Sequence, residues 1–223
     1  MGVSSVRRCV LLVPSGENRK STWEEALDLA FDLARERLSE FDPSGIAQRA
    51  GVLWMGQQGA FEVPFFGKAF KVFYPQGEVY DQEGRRTHRL REVLILHYLI
   101  RAKGTKPRGS WMDFRKLPGG AAYYPVFWGR IIGPLLKLFG DRPQALREIA
   151  PPLGGRPLEM GDGALVLRAF PRVEVVFGVW GRRDDFPPEG FVLFDPTIVD
   201  YLSTEDTIWV CHEALSLLKA FSL

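Results

Sequence analysis

The apolar positions of this chain switch repeatedly between a helical and a strand period, and each switch marks an element. Trp23, Leu27, Ala30, Phe31, Ala34 and Leu38 recur at helical spacing. Ser21-Thr22 with Glu24 and Glu25 three residues on supply a capping-box start, and Phe41-Asp42-Pro43 supplies the stop. A short helical piece around Ile46 to Ala50 ends at Gly51. The texture then becomes strand-like: residues 52–55, 60–66 and 69–74 are separated by Gly56-Gln-Gln-Gly59 and by Gly67-Lys68, read as a two-residue hairpin loop. Pro75-Gln-Gly77 and Asp81-Gln-Glu-Gly84 close this meander.

Residues 89–103 are apolar nearly all round, which predicts a central buried helix stopped by Gly104. Pro118-Gly119-Gly120 is a sharp break. Residues 123–139 keep a helical texture despite Gly129, Gly133 and Pro134, so a kinked or divided helix is expected. A shorter helix over 143–150 is stopped by Pro151-Pro152. After Leu153-Gly154-Gly155, two strands are expected to pair around Asp162-Gly163. Val173, Val175, Phe177 and Val179 alternate as a strand, and residues 191–194 form another. Ser203-Thr204 then caps a closing helix through Ile208, Cys211, Leu215 and Leu218. The expected class is α+β: two antiparallel strand groups packed with about five to six helices. They form a single domain over 1–223, divisible into two lobes, 1–104 and 105–223.

Composition narrows the function classes. The 223 residues carry a net charge of +2, 46% hydrophobic and 25% charged positions, as in a soluble globular protein. So small an excess of cations argues against nucleic acid as a partner, and Arg101-Ala-Lys-Gly-Thr-Lys-Pro-Arg108 reads as a basic helix end and solvated loop. No apolar run is long enough to span a bilayer, and the run Cys9-Val-Leu-Leu-Val13 is too short for a signal-peptide core. The expected location is cytoplasmic, without a membrane partner. Cys9 and Cys211 are the only cysteines; they can pair in principle but make no disulfide scaffold. Without a CxxC and with two thiols, no self-contained iron–sulfur cluster is supported.

Candidate chemistry falls in two places. Trp111, Arg115, Gly119, Gly120 and, further on, Trp180 offer aromatic faces, a guanidinium and free amides to a planar or anionic ligand. Core packing, with Arg115 paired to Asp113, explains the same stretch equally well. Asp195, Glu205 and Asp206, with Asp184-Asp185 upstream, can gather into a hard-cation site. Thr204-Glu205-Asp206 is also what a capped helix start requires. His97 sits on the buried helix as a hydrogen-bonded core residue, and Cys211-His212, being adjacent, point apart.

Several motifs agree in order: Leu94-Ile-Leu-His-Tyr-Leu99, Gly109-Ser-Trp111 to Phe114-Arg115, Leu117-Pro-Gly-Gly120, Leu153-Gly-Gly155, Gly161-Asp162, Phe170-Pro-Arg172, Trp180, Phe186-Pro187, Leu193-Phe-Asp195 and Thr204-Glu-Asp206. In these the chain resembles an uncharacterised domain-of-unknown-function family of anaerobic bacteria and archaea, some of whose members are labelled putative iron–sulfur cluster proteins. The resemblance implies no settled activity. Combined with the aromatic, glycine-rich stretch, it leads to a non-catalytic binding or accessory protein in anaerobic metabolism. That protein would serve a small-molecule cofactor of corrinoid or tetrapyrrole type, or a protein partner. The alternatives are a metal-assisted enzyme using Asp195, Glu205 and Asp206, and a structural interaction module.

Overall fold

The helical period that opens the chain becomes α1 (Arg19–Ser39) in a computed structural model, which describes residues 19–183 and 186–221. The chain is already helical at Arg19, so Ser21 and Thr22 lie inside α1 rather than at its start. Leu27, Phe31, Ala34 and Leu38 are buried, as their spacing predicts. Where α1 ends, α2 (Pro43–Ala50) begins. Extended Asp42 accepts the Gly45 N–H at 2.7 Å, Pro43 has no N–H to strand, and Gly51 closes the helix at φ 70°. Replacing Asp42 by Ala is expected to cost about 1 kcal/mol, measured as a fall of roughly 2–4 °C in melting temperature.

The first sheet runs β1 (Leu53–Met55), β2 (Ala60–Phe65), β3 (Lys68–Phe73) and β4 (Val79–Tyr80) in sequence order, all antiparallel. Phe65 pairs with Lys68, so the hairpin loop is Phe66-Gly67 and not the expected Gly67-Lys68. Both loop residues take positive φ, 46° and 74°, as a primed turn requires. A left-handed Phe costs on the order of 1 kcal/mol. Tertiary docking offsets it: the Phe66 ring is buried, its amide donates to the Ala169 carbonyl at 3.0 Å, and Phe65 lies 4.7 Å from Phe170.

Next comes α3 (Arg89–Arg101), buried along most of its length and capped by His88, whose Nδ1 accepts the Arg91 N–H. It ends at Arg101, just short of the expected Lys103, and Gly104 lies beyond at φ 80°. Its one buried carboxylate, Glu92, accepts from Arg86 at 2.7 Å and Arg89 at 2.6 Å.

The second sheet comprises β5 (Met112–Asp113), β6 (Arg156–Pro157), β7 (Gly163–Phe170), β8 (Val173–Trp180) and β9 (Glu189–Phe194), in the antiparallel order β5-β9-β8-β7-β6. Its tight hairpin is β7–β8, turning at Pro171-Arg172. The two strands expected to pair around Asp162-Gly163 are β6 and β7, which do so antiparallel across residues 158–162, and the Asp162 carboxylate accepts from the Gly181 N–H and Arg183, each at 2.8 Å. The local signal for a turn holds, and its carboxylate also ties the start of β7 to the segment after β8.

The divided helix is α4 (Gly120–Phe127) and α5 (Gly133–Phe139), joined by a π-helical turn over 128–132 in which Gly133 donates to the Trp128 carbonyl. Pro134 has no N–H for the preceding turn and its ring crowds a carbonyl there, which accounts for the widening. A short α6 (Ala145–Ile149) and the long α7 (Thr204–Phe221) complete the chain. A continuous buried cluster joins Phe31 and Leu38 of α1, Leu94 of α3, Phe177 of β8 and Leu218 of α7. The architecture is α+β with two antiparallel sheets. Cys9 lies outside the described residues, and Cys211 is a buried free thiol.

Candidate functional site at the junction of α3, α4 and α7

The start of α7 is built by a reciprocal cap. Ser203 Oγ accepts the Asp206 N–H at 3.0 Å, while Asp206 Oδ2 accepts the Ser203 N–H at 3.0 Å and its hydroxyl at 2.6 Å. That leaves Asp206 Oδ1, which lies 2.7 Å from Nδ1 of His97 on α3. Thr204 donates to the Pro118 carbonyl at 2.7 Å and fastens α7 to the turn before α4. From α4 itself the Tyr123 hydroxyl reaches Glu205 Oε1 at 3.4 Å.

This environment drives neighbouring groups apart. Burial pushes the Asp206 carboxyl up, but the His97 charge, the His97 hydrogen bond and Ser203 together bring it down to about 2. Burial lowers the His97 imidazole, yet the Asp206 carboxylate outweighs it and leaves His97 above its ordinary value. Glu205 is raised, first by burial and then by the charge of Asp206 beside it. Two successive carboxylates thus differ in opposite directions, with an imidazole bonded to the ionised one.

Of the residues singled out in the sequence, those around α4 come together with Glu205 and Asp206. Gly119, at φ 75°, heads α4, and a Cβ on Gly120 would lie 2.0 Å from the Phe114 carbonyl oxygen. Both glycines therefore have backbone reasons to be there. Arg115 forms two hydrogen bonds to Asp113, at 2.7 and 3.1 Å, and lies over the Tyr124 ring at 4.7 Å. Half-buried Trp111 directly precedes β5.

Trp180 is elsewhere. It pairs with Glu189 at the start of β9, whereas Met112, next to Trp111, pairs with Phe194 at its end. Five strand residues separate those positions by about 16 Å. There Trp180 rests beside Phe191 with Arg183 over its ring. Asp195 is also committed separately: it accepts from Thr197 N–H and hydroxyl and from the Gly109 N–H at 2.8 Å, pinning the basic loop. Lys103 and Thr105 of that loop bond to Asp200 in the same way. Asp184-Asp185 fall outside the described residues. Among the described residues no three His, Cys, Asp or Glu side chains are grouped to hold a metal ion.

His97 is the functional candidate that sequence reasoning placed in the core alone. Its signal was the interruption of an otherwise apolar helix, which named the residue but not its partner 109 positions later.

A family model described as "Domain of unknown function (DUF3786)" matches residues 42–216. No curated protein and no solved structure matches the chain. No helix among the described residues is long and apolar enough to cross a membrane.

Proposed function

The chain belongs to the DUF3786 family, a domain of unknown function, and on that premise we propose that it is an acid–base enzyme working at the α3–α4–α7 junction. The observation that carries this reading is the 2.7 Å bond between Asp206 and His97 Nδ1, beside a Glu205 whose carboxyl is raised. Titratable neighbours pushed in opposite directions are the pattern from which acid and base roles are assigned. Asp206 stays ionised, fixes the ring with Nδ1 as the bonded nitrogen, and favours the imidazolium. Nε2 of His97 is then the nitrogen that takes a proton from substrate, and Glu205, steadied by Tyr123, is the group that returns one.

The test needs no natural substrate. The chain should open 5-nitrobenzisoxazole, a probe that reads proton abstraction, and His97→Gln should lose at least roughly tenfold in rate while melting near the wild type. NMR titration should show the His97 pKa falling in Asp206→Asn. An unchanged rate in a folded His97→Gln protein ends the proposal.

A second reading draws on exposed Trp180 and Phe186 beside Arg183. It is a non-catalytic binding or accessory role in anaerobic metabolism, for a planar cofactor of corrinoid or tetrapyrrole type or for a protein partner. Quenching of Trp180 fluorescence by a corrinoid, lost in Trp180→Leu, supports it; quenching that survives the substitution removes it.

A further inference from the structure

Helices α3 and α7 run antiparallel, and two ionic contacts mark their register: His97 with Asp206 at one end, Arg91 with Glu213 at the other. The second contact lies about 10 Å along α7 from the first, at seven residues of 1.5 Å each. Beside it is a cleft of about 330 Å³ between the β2–β3 hairpin and the two helices. That volume suits a small organic molecule, at the lower end of the roughly 300–1,000 Å³ of ligand pockets.

The walls specify the chemistry. One is aromatic: Phe65, Phe66 and Phe70, the second held in its left-handed turn conformation. Across from it the Arg91 guanidinium lies 5.5 Å from the Phe70 ring centre and donates to Glu213 Oε2 from Nε and Nη2 at 3.0 and 2.6 Å. Its Nη1 donates to Thr87. Arg91 and Glu213 therefore cancel as charges, with three of the five Arg91 N–H donors already committed. His88 Nε2 stands 3.5 Å from the remaining Glu213 oxygen, and its imidazole is held below its ordinary value by burial, so it is neutral at pH 7. Lys68, exposed at the mouth, has no carboxylate partner among the described residues. The cleft thus holds one uncompensated positive charge above an apolar floor.

We propose that this cleft binds a small organic monocarboxylate, with its aromatic or branched apolar body against Phe65, Phe66 and Phe70 and its carboxylate at Lys68. This site is separate from the His97 centre, and its existence does not depend on acid–base activity there.

Benzoate is the probe, followed by saturation-transfer NMR on the full chain at about 10 mM, the range expected for so few ligand atoms. Benzamide and benzylamine serve as the neutral and cationic isosteres. Benzoate should bind, benzamide more weakly, and benzylamine not at all. Lys68→Gln, at an exposed position, should weaken benzoate about fivefold. Ser216→Phe, from the exposed face of α7, should fill the cleft and abolish binding without unfolding the chain, because Ser216 donates only to the His212 carbonyl one turn back. Absence of benzoate transfer overturns the proposal. So does transfer unaffected by both substitutions, or benzylamine binding as well as benzoate.

Discussion

Gly120→Ala is expected to lower the melting temperature by roughly 6–12 °C, the equivalent of about 3 kcal/mol. An added Cβ would sit 2.0 Å from the Phe114 carbonyl oxygen and 3.1 Å from its carbon, so one backbone must move. Neither is free to do so. The Gly120 N–H donates to Leu117 at 2.8 Å, and the Leu117 N–H donates back to that same Phe114 carbonyl. Phe114 is fully buried and stacked on Phe127 at 4.0 Å, and Asp113 holds the Arg115 N–H. Gly119 offers the contrast. It is left-handed, but a Cβ there would meet nothing closer than Tyr123 at 4.0 Å, so Ala should cost only about 1 kcal/mol of backbone strain. Thermal melts of the two variants decide the matter, and equal losses would show that conformation rather than crowding governs this turn. The displaced α4 should also draw Tyr123 away from Glu205 and reduce probe turnover further than Gly119→Ala does.

Asp206→Asn is the second large effect, and its size should depend on pH. The Asp206 carboxyl falls from 3.8 to about 2 on folding. Its contribution, about 2 kcal/mol, is therefore present above pH 3.8 and lost as the pH drops toward 2. His97 is raised from 6.5, so its contribution is full below 6.5 and disappears as the pH climbs through the folded value. Glu205, raised from 4.5, behaves likewise with its loss beginning near 4.5. The centre is thus most stabilising between pH 3.8 and 4.5 and weakens on both sides. Urea unfolding of wild type and Asp206→Asn at about pH 2, 4 and 8 should give a gap that is largest in the middle. Glu205→Gln should remove the first alkaline loss and leave the later one belonging to His97. A gap between wild type and Asp206→Asn that is constant with pH would mean Asp206 acts only as a neutral cap.

Periodicity made most elements legible in the chain. The six apolar positions of α1, the buried α3 and the alternation of β8 needed nothing beyond spacing. What spacing misread or missed were places where a distant partner chose the local geometry. Phe66 occupies a turn position suited to Gly or Asn because its amide donates to the Ala169 carbonyl while the neighbouring Phe65 ring packs on Phe170. Asp162 lies in the β6–β7 connection as expected, but it is also a clasp, because Gly181 and Arg183 lie across from it. The acidic residues near the C-terminus show the same limit. Nearness in sequence grouped Asp195 with Glu205 and Asp206, but Asp195 turned toward Gly109 while Asp206 turned toward His97. A carboxylate's partner is a property of packing, and no local rule states it.

The docked hairpin tip carries a consequence for how the chain is made. The β2–β3 pair is local in sequence and can close as soon as its residues leave the ribosome. Its tip, however, presents Phe65 and Phe66, whose partners are the Phe170 ring and the Ala169 carbonyl, about a hundred residues downstream. At roughly 5–20 residues per second, that tip waits on the order of 5–20 s for these partners during synthesis. For that interval the nascent chain displays two adjacent aromatics on a finished turn, a ready target for a holding chaperone and a point where slow translation invites misassembly.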